Sequence, residues 1–434
     1  MTMPSAFSPA LLDKLTKQLG DIPDGLAPEP CCAHVLYGGA HLYKRSTLDK
    51  LGAIARAALD AAECDAVAFV HALGLRDAAL SEELLSRLRQ KLVERPIESL
   101  CIDFEDGFGP RSNDEEDAEA ERAAVELAHT DASDTRIGIR IKALSGQTVR
   151  RSLRTLDMFL TTLTRETDGQ GRAGLSVTLP KVTNPAQVEG LALALHHAER
   201  VLGLPRPTAI ELMIETPHAL LDAEGLCTAP LIAAGDGRVR TVHLGAYDLT
   251  ASLGVTAADQ RLDHPYCDFA RMLLVFATVG SGVTVSDGAT TLLPTAPKGL
   301  SGKDAAAAMM DAWALHARNV RRAIDVGIYQ GWDLHPAQLP ARFGALFAYF
   351  LERRAELSER LRTFVANATQ ATRVGQAFDD AATGQGLMLF FERGLACGAL
   401  CDDDLAATTL RRNELSMPFS ELVRARLVSA PTAP

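Results

Sequence analysis

The sequence has few aromatic residues and few cysteines: aromatics make up 5% of its 434 residues, and there are 8 cysteines. None of the cysteines forms a CxxC pair, and no histidine cluster accompanies Cys397 and Cys401, which could share a helix face. Disulfide-stapled domains and structural zinc sites depend on such spacings. We therefore expect reduced, mostly buried thiols and neither a disulfide framework nor a zinc centre.

The sequence also has no long apolar run and no excess of positive charge. Its longest uncharged stretch, between Arg271 and Asp287, is broken by threonine, serine and glycine and falls short of the ~18 apolar residues that a membrane span needs. Residues 1–15 lack the charged and apolar regions of a signal peptide. The net charge is −11 and no basic stripe occurs, which disfavours nucleic acid and anionic membranes as partners. We expect a cytoplasmic protein.

Short β-type runs alternate with longer helical patterns from about residue 33 to 336, which is typical of parallel β-α-β units. The run at 65–73 is ambiguous, and the helix-forming residues after it favour an extra helix over a strand. Eight strands followed by helices predict an α/β fold, a (β/α)8 TIM barrel. The predicted strands are 33–39, 99–106, 136–142, 175–182, 209–215, 239–246, 282–286 and 328–334.

The pattern changes after Pro336, where Phe343, Leu346, Phe347 and Phe350 recur at the spacing of one apolar helix face. The sequence thus predicts an N-terminal helical segment (1–30), the barrel with the catalytic site (31–336) and a C-terminal helical extension (337–434). The extension either caps the barrel or packs against a neighbouring subunit, and we expect a homo-oligomer.

Charged residues fall on the lumen-facing parity of several predicted strands. The isoleucines of 136–142 share one parity and leave Arg140 on the other, while Asp103, Glu105 and Glu215 are placed in the same way on their strands. Buried charges must be paired, bound to metal or hydrated. The alternative to an active site is a structural ion-pair network that fills the lumen.

Two carboxylates follow neighbouring strands. Glu215 precedes Thr216 and Pro217, a helix N-cap and a first-turn proline, so it lies at a strand end. Asp248 follows the next strand after a Gly245–Ala246 break, and simple parity turns it away from the lumen unless the break or a bulge reorients it. Carboxylates without His or Cys favour Mg²⁺, with Mn²⁺ as a substitute, over zinc.

The chain resembles the citrate lyase β-subunit-like and HpcH/HpaI aldolase superfamily of phosphoenolpyruvate/pyruvate-type barrels. The shared motifs, in order, are IDFEDG (102–107), RIK (140–142), TLPKV (178–182), IETP (214–217), LGAYDL (244–249) and DLHPAQ (333–338). The resemblance implies that Glu215 and Asp248 hold Mg²⁺, that Arg140 contacts a substrate carboxylate or enolate oxygen, and that Asp103 and Glu105 form a water-linked outer shell.

Two positions depart from the family pattern. Many citrate-lyase-like members have Asn in place of Lys142, which bears on the substrate. HpaI-type aldolases have a His in place of Asp106, which bears on a His-assisted water relay.

The predicted function is a Mg²⁺-dependent carbon–carbon lyase or aldolase acting on a small 2-oxo acid or an acyl-CoA-linked hydroxyacid through a metal-stabilised enolate. We expect Arg140, Glu215, Gly245 and Ala246 to bind the substrate, and Glu105 or Asp106 to transfer the proton. The alternatives are a malate-synthase-like condensing enzyme, an acyl-CoA thioesterase on the same barrel, and a non-catalytic metabolite-binding protein.

Overall fold

A computed structural model describes residues 32–132, 134–373 and 381–429, together with a few separate positions between 8 and 17. Its centre is a closed barrel of eight parallel strands in sequential order. The predicted (β/α)8 barrel is therefore confirmed. The strands are β1 (His34–Gly39), β2 (Ser99–Asp103), β3 (Arg136–Arg140), β4 (Ser176–Leu179), β5 (Ala209–Ile214), β6 (Val239–Leu244), β7 (Thr284–Asp287) and β8 (Gln330–Asp333).

Helices surround the barrel, and the run at 65–73 forms an extra helix, as predicted, between the helix after β1 and strand β2. The helices of the barrel region are α1 (Thr47–Ala62), α2 (Ala66–Ala72), α3 (Ser81–Glu94), α4 (Asn113–Ala128), α5 (Val149–Glu166), α6 (Pro185–Leu202), α7 (Pro217–Leu220), α8 (Thr228–Ala233), α9 (Ala246–Ser252), α10 (Pro265–Thr278) and α11 (Gly302–Ile324). None of the described helices is long and apolar enough to cross a membrane.

Strand parity separates the two faces of the barrel wall as the sequence predicts. Ile137 and Ile139 are fully buried and join the core between strands and helices. Arg140 pairs in register with Asp103 on β2 and with Thr178 on β4, which places these three polar side chains on the lumen side. Their common level at the C-terminal strand ends is where barrels of this type carry their active sites.

The C-terminal region is helical, as predicted. It comprises α12 (Leu339–Arg373), α13 (Ala381–Ala396), α14 (Asp402–Ala406), α15 (Arg412–Leu415) and α16 (Phe419–Ser429). Phe343, Leu346, Phe347 and Phe350 are fully buried, and α12 packs against α11 and α3 of its own chain. The apolar face therefore covers the side of this barrel. The predicted N-terminal helical segment (1–30) falls outside the described residues, apart from the separate positions.

Candidate active site

A buried arginine–aspartate pair lies at the mouth of the lumen. Arg140 Nε donates to Asp103 Oδ1 at 2.7 Å and its Nη2 donates to Oδ2 at 2.5 Å, and both side chains are almost fully buried. The backbone amides of Glu105 and Gly107 also donate to Asp103, at 2.9 and 2.7 Å. Asp103 therefore contacts Arg140 directly, and this two-pronged contact fixes the plane of the guanidinium.

The remaining nitrogen of Arg140 points to the mouth. Its Nη1 lies 3.3 Å from Glu105 Oε2 and 3.9 Å from Asp106 Oδ2. Neither approach has hydrogen-bond geometry, and among the described residues this buried nitrogen has no acceptor. The guanidinium carbon also lies over the rings of Tyr37 and Trp332, at 5.1 and 5.6 Å. Arg140 is thus held rigidly with one donor to spare for a ligand.

Glu215 follows β5 and is 2% exposed. Its Oε1 accepts from the backbone amide of Lys181 at 2.7 Å. A side chain at Gly245 would overlap Glu215, so this glycine allows the two strand ends to approach. Burial raises the pKa of Glu215 to about 8, and the charge of Asp248 adds to the rise while Lys181 opposes it. A nearby cation is what would keep this carboxylate ionised at neutral pH.

Asp248 reaches the mouth by a route that strand parity does not describe. Strand β6 ends at Leu244 and α9 begins two residues later, so Asp248 lies in the first turn of a helix. It is 46% exposed, and its Oδ2 is 3.6 Å from Lys181 Nζ. The break after β6 therefore reorients the chain by starting a helix. Ala246 itself is buried beside Gly288.

Lys181 is a site residue that the sequence reasoning did not select. Its ammonium lies 2.6 Å from Glu105 Oε1 and 3.4 Å from Asp106 Oδ2, close to Asp248 as well. Burial opposes the shift, but Glu105, Glu215 and Asp106 raise the pKa of Lys181. The backbone at Lys181 is left-handed, with φ of +52°. The available signal was its place in the motif TLPKV, although the predicted strand 175–182 included Lys181 and the observed β4 ends two residues before it.

The two acidic residues after β2 differ in their surroundings. Glu105 has a side chain only 10% exposed, and burial raises its pKa although Arg140 and Lys181 oppose the shift. Asp106 is 61% exposed at the rim. Lys142, by contrast, donates to Glu116 and to the carbonyl of Phe104, so this departure from the family pattern lies outside the lumen.

Deeper in the lumen lies a histidine–glutamate pair of the kind that a structural ion-pair network would contain. His243 Nε2 lies 3.0 Å from Glu211 Oε2, and Thr178 donates to the same oxygen at 3.1 Å. Burial favours the neutral carboxyl, but His243 and the hydroxyls of Ser176 and Thr178 together lower the pKa of Glu211. The lower part of the lumen therefore holds a carboxylate that is paired with a histidine, whereas at the mouth the carboxylates outnumber the cationic groups.

A metal ion at this mouth would be held by two carboxylates, Glu215 and Asp248, with water and substrate completing its coordination shell. Among the described residues no three His, Cys, Asp or Glu side chains converge to hold an ion by themselves. Glu215 and Asp248 interact closely enough for the charge of one to shift the pKa of the other. Oxygen-only donors with open positions suit Mg²⁺, which keeps several of its waters.

The family model described as "Domain of unknown function (DUF6986)" matches residues 21–421. No curated protein sequence matches the chain. A citrate lyase from Burkholderia xenovorans is similar in structure, with 18% identity and a TM-score of 0.55, over 90% of this chain and 98% of that chain. This likeness confirms the predicted (β/α)8 barrel fold.

Two further structures are similar at lower scores. A Haloferax volcanii malate synthase in a magnesium and glyoxylate complex has 13% identity and a TM-score of 0.44, over 71% of this chain and 74% of that chain. An HpcH/HpaI aldolase/citrate lyase family protein from Burkholderia cenocepacia has 16% identity and a TM-score of 0.35, over 74% and 92%.

Proposed function

This chain belongs to the DUF6986 family, and we propose that it is a Mg²⁺-dependent carbon–carbon lyase acting on a 2-oxo acid or an acyl-CoA-linked hydroxyacid. The observation that carries the proposal is the juxtaposition of an acidic pair, the buried Glu215 and the half-exposed Asp248, with the unpaired donor of Arg140. Both elements assist carbon–carbon cleavage next to a carbonyl, because a cation and a hydrogen-bond donor stabilise the developing negative charge.

The two acidic residues would hold the ion. Glu215 fits because its carboxylate is buried, is fixed by the Lys181 amide and has no cationic side chain in direct contact among the described residues. Asp248 fits because its half-exposed oxygen leaves room for water or substrate on the open side. When bound, Mg²⁺ supplies a Lewis acid that polarises the carbonyl of a 2-oxo acid.

Arg140 would bind and orient the substrate. Its Nη1 is positioned to donate to the oxygen on which negative charge develops when the carbon–carbon bond breaks. Asp103 holds the guanidinium in place and the Tyr37 ring packs against it, so little reorganisation accompanies the reaction. Removal of water from this buried donor strengthens its electrostatic effect.

Glu105 is the residue we assign to proton transfer. Its raised pKa brings the carboxyl closer to neutral pH, where a group both gives and takes a proton efficiently. It also contacts Lys181 and approaches Arg140, so it lies beside the proposed substrate position. Asp106, at the exposed rim, would transfer protons to solvent.

A screen of 2-oxo acids and acyl-CoAs tests the proposal, with pyruvate, glyoxylate or acetyl-CoA release as the readout. We expect activity that requires Mg²⁺ or Mn²⁺ and disappears with EDTA. Glu215→Gln should lower kcat by about 10²-fold or more, since it removes a charged ligand. Glu224→Gln, at an exposed position after the same strand, is the matched control and should remain active.

Calorimetric titration with Mg²⁺ gives a readout that does not depend on the substrate. Wild type should bind the ion and Glu215→Gln should not. Full activity in EDTA overturns the proposal. If metabolites bind equally well without Mg²⁺ and to the Glu215→Gln variant, the protein is a non-catalytic binding protein. Net consumption of acetyl-CoA would identify the condensing direction.

A further inference from the structure

A second cleft lies at the end of the barrel opposite the candidate site. It has a volume of about 640 Å³, within the usual range for small-molecule sites. One wall is formed by the end of α2 and the residues that follow it, 71–76, and the other by the C-terminal part of α11 and the residue after it, 317–325. Because α11 leads into the start of β8, this end of the helix lies beside the N-terminal strand ends, away from the mouth.

Positive charge is concentrated in this cleft of an otherwise acidic chain. Four arginines line it, Arg76, Arg318, Arg321 and Arg322, against one acidic residue, Asp325. Arg322 is neutralised outside the cleft by a two-pronged contact with Asp268. The other arginines therefore leave a net positive surface in a protein whose formal charge is −11.

Arg321 forms the base of the cleft and is incompletely paired. Its Nη2 donates to the carbonyl of Gly74 at 3.0 Å, and the nearest acidic oxygen, on Glu352, is 3.8 Å away. Its Nε is buried and, among the described residues, has no acceptor. Burial lowers the pKa of Arg321, and the charges of Arg353 and Arg76 add to this effect against Glu352. An incoming anion would offset these unfavourable effects.

Two exposed arginines face the same space. Within the described part of the chain, the guanidinium groups of Arg76 and Arg318 make no ion pair with an acidic side chain. They come from opposite walls of the cleft and both line it, so each contributes positive charge to the same space. A guanidinium presents its N–H groups as a fork that matches two oxygens of a phosphate.

We propose that this cleft binds a small molecule bearing a phosphate or diphosphate group, at a site separate from the candidate active site. The concave shape, the buried donor of Arg321 and the arginines of both walls favour a compact polyanion over a flat protein surface. The ligand would bridge α11 and the residues at the end of α2.

Isothermal titration with inorganic pyrophosphate at low salt tests this site. We expect saturable binding in wild type. In the double variant Arg76→Ala/Arg318→Ala the affinity should fall by about tenfold or more, since each lost charged hydrogen bond costs that order of affinity. Both side chains are exposed, so the double variant should fold normally, and an unchanged melting temperature checks this. Arg165→Ala, an exposed arginine on α5, is the matched control and should bind like wild type.

Three results would overturn the proposal: no saturable binding of pyrophosphate at millimolar concentration, equal binding by wild type and the double variant, or preferential binding of a polyglutamate peptide. The last result would identify the cleft as a contact for an acidic protein segment. None of these outcomes depends on the lyase activity, so the two proposals fail separately.

Discussion

Two of the buried arginine–aspartate pairs at the C-terminal end of the barrel lie on opposite sides of its wall. The inner pair, Arg140 with Asp103, faces the lumen. The outer pair, Arg342 with Asp333, lies between β8 and α12, where Arg342 Nη2 donates to Asp333 Oδ1 at 2.9 Å. Both pairs are nearly inaccessible to solvent, so their difference comes from what surrounds each of them.

The surroundings of the outer pair are balanced in charge, because burial lowers the pKa of both neighbouring histidines. His316 Nε2 lies 2.9 Å from Asp333, and His34 Nδ1 lies 4.0 Å away. Burial alone would raise the pKa of Asp333, but Arg342 and His316 hold it well below its usual range. This cluster ties the extension to the barrel.

The surroundings of the inner pair are acidic. Four further carboxyl groups lie at the mouth around the pair, those of Glu105, Asp106, Glu215 and Asp248. Among the described residues, Lys181 is the one additional cationic side chain that contacts this group. A surplus of buried acid is costly unless a cation or protons compensate it. The comparison teaches that a buried charge pair alone does not indicate a site, whereas a charge imbalance with a spare donor does.

Removing Asp333 tests the structural role of the outer pair and should have the largest effect. Asp333→Ala leaves Arg342 buried without its acid, and we expect a loss of about 3–5 kcal/mol in the free energy of unfolding, measured by urea denaturation. Asp259→Ala, at an exposed position, should change little. A loss no larger than that of Asp259→Ala would contradict the structural role of the outer pair.

Replacing Arg140 tests the functional role of the inner pair. Arg140→Met keeps the bulk of the side chain but removes the spare donor, and we expect kcat to fall by about 10²–10³-fold, as for loss of an oxyanion donor. Asp103 keeps its two backbone amide donors, so stability should fall less than in the Asp333 variant. Equal activity in the presence of substrate and Mg²⁺ would contradict the proposed role of Arg140.

The comparison also shows how far the sequence alone leads. Period-two parity predicted which side of the wall Arg140, Asp103 and Glu215 occupy, because strands alternate strictly. It could not predict Lys181 or Asp248, since each lies beyond a strand end where a left-handed residue or a new helix sets the direction. A site assembled from loop residues depends on backbone geometry that no local pattern encodes.

The outer pair was not predicted for a different reason. The sequence predicted the helix that carries Arg342 but left open whether it packs on this barrel or on a neighbour. Its contact with Asp333 depends on the packing of α12 along α11, which is a tertiary property of the chain.

Acid should weaken the outer cluster through His34. Burial lowers the pKa of His34 from 6.5 to about 4, although Asp333 and Glu98 oppose the shift. The folded state therefore binds a proton less readily than the unfolded state. Stability linked to this group is intact above pH 6.5 and falls as the pH drops towards 4, by about 1.4 kcal/mol per pH unit and about 3 kcal/mol in all.

Urea unfolding at pH 7.5 and pH 5 measures this linkage. His34→Gln retains an acceptor for the Glu98 amide, which His34 Nε2 accepts at 3.0 Å, but does not titrate. Wild type should lose more stability than the variant between the two pH values. Parallel losses would show that His34 does not carry the acid sensitivity of the cluster.

Two strand glycines provide the smallest test of the comparison. A Cβ at Gly331 would overlap the guanidinium of Arg342, whereas a Cβ at Gly38 would meet no atom within 4 Å. Because Asp333 holds that guanidinium in a buried position, Gly331→Ala must displace the outer pair, and we expect a loss of about 1–3 kcal/mol in unfolding free energy. Gly38→Ala should be neutral or stabilising by about 0.5 kcal/mol, because alanine restricts the unfolded chain. If both variants unfold at the same urea concentration, Arg342 has room to move, and the outer pair is less rigid than its enclosure implies.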